Sequence, residues 1–166
     1  VKLKCDKKTR IITSEEELYD VYVDEETFPD DNFRSYISSE FDKDGDGIIR
    51  SSEISNIMSI SCNSRNIKNM KGIEYFTALT TLWCHDNQLT SLDVSKNTAL
   101  TTLWCYDNQL TSLDVSKNMA LTTLACHFNR LTSLDVSANT SLTHLSCHFN
   151  QLTSLDVSKN TKISIA

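Results

Sequence analysis

Residues 79–99 read LTTLWCHDNQLTSLDVSKNTA, and the phrase returns three times at a spacing of 21 residues, from Leu100, Leu121 and Leu142. Ile163 opens a fifth copy. A unit this short cannot bury an apolar face alone. It does so only by stacking on copies of itself, so the chain must form a solenoid rather than a closed globule.

Within each copy the strand half follows LxxLxLxxNxL: Leu79, Leu82, Cys84, Asn87 and Leu89 in the first. This pattern resembles the leucine-rich repeat. A divergent unit precedes it, with Ile57, Ile60, Cys62 and Ile67 in the same places and 22 residues to Leu79. Cys62, Cys84, Cys105, Cys126 and Cys147 then form one inward column, about 4.8 Å apart at strand spacing. Stacked parallel side chains point the same way, which disfavours disulfides. Cysteine here reads as a small buried hydrophobe. Asn87, Asn108, Asn129 and Asn150 form a second column, whose amides are expected to satisfy backbone groups of their own and the next coil. Asp93, Asp114, Asp135 and Asp156 are expected to hold local turns. The LTSLDVSKN half is too short for a helix, so the outer face should be turns and extended chain.

What changes between copies is the set of residues flanking the inward Leu82 and Cys84. Alternation along a strand turns these outward. The columns read Trp83, Trp104, Ala125, Ser146; then His85, Tyr106, His127, His148; then Asp86, Asp107, Phe128, Phe149; with Thr81, Thr102, Thr123 and His144 beside them. Both tryptophans and all four histidines of the chain lie here. Folding does not require large aromatics on this face, and a contiguous exposed set marks a binding surface. The competing reading is that the rings stack on one another to stiffen the sheet. A zinc site from His127, His148 and His144 lacks a carboxylate or cysteine to complete it. His85 and Asp86 are expected to point to different sides, no phosphate loop or nucleophile elbow is present, and the chain reads as non-catalytic.

Ahead of the repeats, Pro29 and Asp30 suit the start of a helix, with Phe33, Tyr36, Ile37 and Phe41 at helical spacing. Then comes DKDGDGIIRSSE, residues 42–53. Asp42, Asp44 and Asp46 fall at loop positions 1, 3 and 5, Gly47 at the sharp turn, the Ile48 carbonyl at position 7 and Glu53 at position 12. The loop resembles an EF-hand or dockerin calcium loop, because a hard divalent ion needs six to eight oxygens. Arg50 at position 9 cannot ligate through its side chain, which leaves that place to water. The loop has no second copy to pair with, and the helix after it is short. Ca2+ is therefore expected as a structural ion closing the end of the solenoid.

Residues 1–27 are read as an amino-terminal segment or linker: VKLKC as a short strand, Ser14–Glu17 as a helical turn, YDVYVDEET as acidic strand or linker, and Cys5, outside the repeat phase, as a free thiol, a partner for Cys62 or the trace of an upstream element. Residues 28–56 form the calcium-binding cap, and residues 57–166 about five repeats. The expected fold class is α/β: a leucine-rich-repeat solenoid with a parallel β-sheet on one face, turns and extended chain on the other, and a helix–calcium loop cap. The chain begins at Val1, which suggests a processed or excised piece. The net charge is −6, and the first 78 residues hold 11 of the basic and 16 of the acidic side chains. Without a basic stripe, nucleic-acid binding is disfavoured.

The cysteine-containing 21-residue unit with LDVSxN following resembles the repeats of internalin-type bacterial surface proteins. The run FPDDNFRSYISSEFDKDGDGIIRSSEI followed by GIEYFTAL resembles the cap of secreted leucine-rich-repeat proteins of gut Firmicutes. The resemblance implies an extracellular or cell-surface bacterial adhesion module with a protein or glycan partner on a host or neighbouring cell. Its ligand residues would be Trp83, His85, Asp86, Trp104, Tyr106, Asp107, His127, Phe128, His144, His148 and Phe149. The alternative is a passive spacer or targeting module of a larger extracellular enzyme.

Overall fold

The computed structural model describes residues 20–163. The expectations for VKLKC, Ser14–Glu17 and Cys5 lie outside that range.

Five three-residue strands stack in chain order into one parallel sheet: β3 (Ser59–Ser61), β4 (Thr81–Trp83), β5 (Thr102–Trp104), β6 (Thr123–Ala125) and β7 (His144–Ser146). The register places Ile60, Leu82, Leu103, Leu124 and Leu145 in one row, with Trp83 beside Trp104 and Ala125 beside Ser146. The period read from the sequence is therefore the coil-to-coil step. Pairing continues past each strand, as Cys84 N–H donates to Trp104 O at 2.9 Å and Asp86 N–H to Tyr106 O at 3.2 Å. The return half of each coil is turns. A 3-10 turn, Ile73–Tyr75, occurs in the divergent first unit.

The core is the inside of the coil. Leu79, Leu82, Cys84, Leu89, Leu92 and Val94 and their counterparts in the next two copies are buried. The cysteine column is inward as expected through Cys126, but Cys147 is half-exposed. It follows the last described strand, where no further coil covers it among the described residues.

Two asparagine columns thread this core. Asn108 Nδ2 donates to Cys84 O and Cys105 O, at 3.1 and 3.2 Å, and its Oδ1 accepts from Leu89 N–H at 2.9 Å. The amides thus reach the preceding coil, not the next. The second column, Asn97, Asn118, Asn139 and Asn160, is missed by the sequence reading. Asn118 Nδ2 donates to Val94 O and Asn97 O, at 3.0 and 2.9 Å, and the pattern repeats along the stack. The signal was present, since the same residue holds the same phase in every copy. Asp93, Asp114, Asp135 and Asp156 each accept from the backbone N–H two residues on, at 2.8–2.9 Å. Hydrogen bonds from the backbone and side chain of the serine there hold their carboxyls below the usual range, the side-chain bond leading at Asp135.

The cap consists of β1 (Val21–Tyr22), α1 (Asp31–Phe41), β2 (Ile48–Ile49) and α2 (Ser51–Ile54). Asp30 starts α1, accepting from Asn32 N–H and Phe33 N–H at 3.0 and 2.9 Å. Its other oxygen accepts from Lys68 N–H and Asn69 N–H, at 2.8 and 3.2 Å, so one carboxylate ties cap to solenoid. Phe33, Tyr36 and Ile37 turn inward. Tyr36 Oη accepts from Ser61 N–H at 3.0 Å, closing the free edge of β3. Gly72 has φ +103° and its Cα lies against the Phe28 ring, leaving no room for a Cβ.

Candidate ligand face and cation loop

The outward side chains of the sheet form three rows of rings. Trp83 and Trp104 stack at 5.1 Å with a 20° tilt. His85, Tyr106, His127 and His148 stack in a continuous row at 4.3, 4.5 and 4.6 Å, within 12° of parallel. Phe128 and Phe149 stack at 4.5 Å and 10°. Strand spacing explains this, because rings carried in register on adjacent parallel strands meet face to face with slight offset. The stacking reading and the exposed-patch reading thus describe the same residues. Stacking covers the ring faces, so Trp83, His85, Trp104, Tyr106 and His127 are half-buried, and the Trp83 indole N–H is buried without a hydrogen-bond partner among the described residues.

Two features depart from the strand alternation assumed from sequence. Asp86, Asp107, Phe128 and Phe149 all have positive φ, between 49° and 53°. The chain turns there, which brings Asp86 back onto the side of its neighbour. His85 Nδ1 lies 2.8 Å from Asp86 Oδ2, so these two side chains meet rather than diverge. His144 stands apart from the row, its Nδ1 2.8 Å from Thr143 Oγ1. Ser146 Oγ bridges His127 Nδ1 and His148 Nδ1 at 3.1 Å each. Burial and the neighbouring His148 hold the His127 imidazole below its ordinary value.

In the cap loop, ligand oxygens of Asp42, Asp44 and Asp46 lie within 4.8 Å of one another. Among the described residues this is the only group of three or more histidine, cysteine or carboxylate side chains close enough to share an ion. The histidines of the sheet form no such group. Gly45 and Gly47 have positive φ, which the tight loop needs. Asp42 Oδ2 accepts from Gly47 N–H at 3.0 Å and Asp46 Oδ1 from Ile48 N–H at 2.8 Å. The second Asp42 oxygen, Oδ1, is buried and has no hydrogen-bond partner among the described residues. A buried carboxylate oxygen without a donor fits a cation, and the cluster can chelate a divalent one.

Glu53 does not join the cluster. Its Oε2 accepts from Arg50 N–H at 2.9 Å. The Ile48 carbonyl belongs to β2, which pairs antiparallel with β1, Val21 to Ile49 and Tyr22 to Ile48. Val21–Tyr22 thus supplies the strand that a second loop would otherwise provide. Arg50 bonds Asp46 and reaches Asp20, so the guanidinium offsets the loop's charge from behind.

Comparison with known proteins agrees with this architecture. A family model described as leucine-rich repeats, two copies, matches residues 77–118. Internalin J of Listeria monocytogenes serotype 4b is 44% identical over 70 residues, 42% of this chain and 8% of that protein. The solved functional domain of InlJ from Listeria monocytogenes, described as including a cysteine ladder, superposes with TM-score 0.81 at 43% identity. That superposition covers 87% of this chain and 32% of that one. Over most of its length the chain is thus similar to an internalin leucine-rich-repeat domain. A second internalin structure, inlF, shares the fold at TM-score 0.68 and 19% identity, over 84% of this chain and 49% of its own. The chain spans less than a tenth of the length of the internalin J proteins it matches. Among the described residues no helix is long and apolar enough to cross a membrane.

Proposed function

We propose that this chain is a non-catalytic recognition module of an extracellular or surface-bound bacterial protein, and that it binds its ligand on the ring-bearing sheet face. The observation that carries this reading is the cost of that face. The core residues already specify the coil, yet the outward columns carry two tryptophans, a tyrosine, two phenylalanines and four histidines where Ser59 and Ser61 of the first unit show that small polar residues suffice. Stacking pre-organises the rings, so little side-chain freedom is lost on binding. Internalin similarity supports a partner on a host or neighbouring cell.

In this reading residues 28–56 cap the array and residues 57–166 carry the ligand face. Asp42, Asp44, Asp46, the Ile48 carbonyl and Glu53 would hold Ca2+ as a structural ion, which when bound would neutralise the clustered carboxylates between α1 and α2. Extracellular calcium concentrations fill even weak sites of this type.

The test is the double variant Trp83→Ser and Trp104→Ser, which copies the small residue native at Ser146. Both proteins are screened against host glycoproteins and glycans after circular dichroism confirms the fold. Loss of a ligand seen with the wild type is expected. Equal binding by both proteins refutes the tryptophan row as contact surface, and binding by neither favours a passive spacer.

A further inference from the structure

The turn that follows each strand demands a left-handed backbone: Ser64, Asp86, Asp107, Phe128 and Phe149 all have φ between 49° and 56°. Short polar side chains tolerate this conformation because they bond locally. Serine and aspartate in the first three coils obey that rule. Phenylalanine in the last two does not, and a bulky residue at positive φ is an outlier. The same two rings are 44% and 67% exposed. The chain thus holds two apolar rings in solvent on a disfavoured backbone, at a position where it elsewhere uses aspartate. Neither core packing nor solubility accounts for them, and strain of this kind collects where binding occurs.

We propose that Phe128 and Phe149, with Asp86 and Asp107 continuing the same column, form a docking strip for a polypeptide that presents an apolar side chain and a basic side chain about three residues apart. The proposal rests on the sheet face being the recognition surface. Strand spacing sets the geometry, since the centre of the Asp pair lies two coils, or about 9.6 Å, from the centre of the Phe pair, close to three residues of extended chain. Charge complementarity sets the occupant. The Asp86 and Asp107 carboxylates repel an acidic glycan and gain little from a neutral one, but they attract lysine or arginine, while the Phe pair takes an aliphatic or aromatic side chain. The Tyr106 phenol, pushed up by burial and by both carboxylates, marks how anionic that half of the strip is.

The experiment selects a phage-displayed random dodecapeptide library on the full chain, with a glycan array in parallel. Synthetic versions of enriched peptides are then titrated against four proteins: wild type, Phe128→Asp with Phe149→Asp, Asp86→Asn with Asp107→Asn, and Trp83→Ser with Trp104→Ser. The Phe→Asp variant installs what copies one and two already carry, so its melting temperature should stay within about 3 °C of wild type. Enriched peptides should pair a basic with an apolar residue at the stated spacing. They should lose at least about tenfold in affinity on both the Phe and the Asp variants. Enrichment of no peptide, a large drop in the Phe variant's melting temperature, or affinity indifferent to the Phe pair overturns the proposal. If binding is lost in the Trp variant but kept in the Phe and Asp variants, the face stands and the strip falls. If all variants bind alike, both readings fall.

Discussion

Replacing Asn108 by alanine should remove more stability than replacing Asn150, although the two hold the same place in the repeat. Each of the three carbonyls that Asn108 serves has a second donor. Cys84 O also accepts from Asn87 Nδ2, Cys105 O from Asn129 Nδ2, and Tyr106 O from Asp86 N–H. Leu89 N–H has Asn108 Oδ1 as its acceptor, and both groups are buried. The variant therefore strips one buried N–H, at about 1–3 kcal/mol, and weakens three shared bonds. A loss of about 2–4 kcal/mol is expected, a sizeable part of the 5–15 kcal/mol typical of a domain. Asn150 does the same for Leu131 N–H, but it is only half-buried and water can take its place. Its loss should be about 1 kcal/mol or less. Asn87 accepts from both Ile67 N–H and Arg65 N–H, so Asn87→Ala should match or exceed Asn108→Ala. Urea denaturation of the three variants gives the ranking. Amide hydrogen exchange at Leu89 gives a local reading in case unfolding of the array is not two-state. Equal losses at Asn108 and Asn150 would refute the reasoning, since burial would then have no part in the cost.

Three other measurements probe the scaffold and the face. Adding excess chelator to the calcium-loaded protein should lower its melting temperature and expose residues 28–56 to protease; an unchanged melt counts against a structural ion. Thiol reagents at mildly alkaline pH should modify Cys147 first among the five column cysteines, because it is half-exposed, whereas burial pushes Cys62 and Cys126 up to about 12; rapid labelling of Cys84 or Cys105 in the folded protein would contradict the inward column. The His127 imidazole is held below its ordinary 6.5, so its neutral form favours the fold. That contribution is fully present above about pH 6.5 and is lost as pH falls through the lower folded value. NMR titration of the ring should give a midpoint below 6.5, and His127→Gln should flatten the matching part of the stability profile.

The coil was legible because its determinants repeat. A buried position that tolerates one residue type shows that residue every 21 places, as Leu82, Cys84 and Asn87 do. Asn97 satisfies the same criterion, but it sits among turn-forming neighbours, where asparagine is common whether or not the turn is covered by the coil beside it. The left-handed column was hidden for a different reason. Aspartate suits that backbone and phenylalanine does not, so Phe128 and Phe149 masked the turn that Asp86 and Asp107 announce. In the cap the loop pattern was plain, but the pairing of Val21 with Ile49 and Tyr22 with Ile48 depends on contacts between segments distant in the chain that no local pattern encodes.

The outward columns divide the face at one place. Between β5 and β6 the tryptophan column steps down to Ala125, and the acidic column changes to phenylalanine. Only the middle row crosses that step unbroken, through the stack of Tyr106 on His127 at 4.5 Å. On one side lie indoles and carboxylates, and on the other imidazoles and exposed phenyl rings. A ligand confined to one half would meet a single chemistry, and the other half's exposed or strained side chains would have no purpose. One that spans the step meets both on a rigid spacing fixed by the coil, and its specificity then comes from the distance between two unlike contacts rather than from either alone. Moving the step by one coil, with Trp104→Ala and Asp107→Phe together, preserves every core residue. Asp86 then stands two coils from the centre of the lengthened phenylalanine column, as the Asp pair does from the Phe pair in the native chain. Titration of the selected peptides should therefore show the preferred spacing kept at about 9.6 Å with the solenoid intact, while a second basic residue in the partner loses its contact.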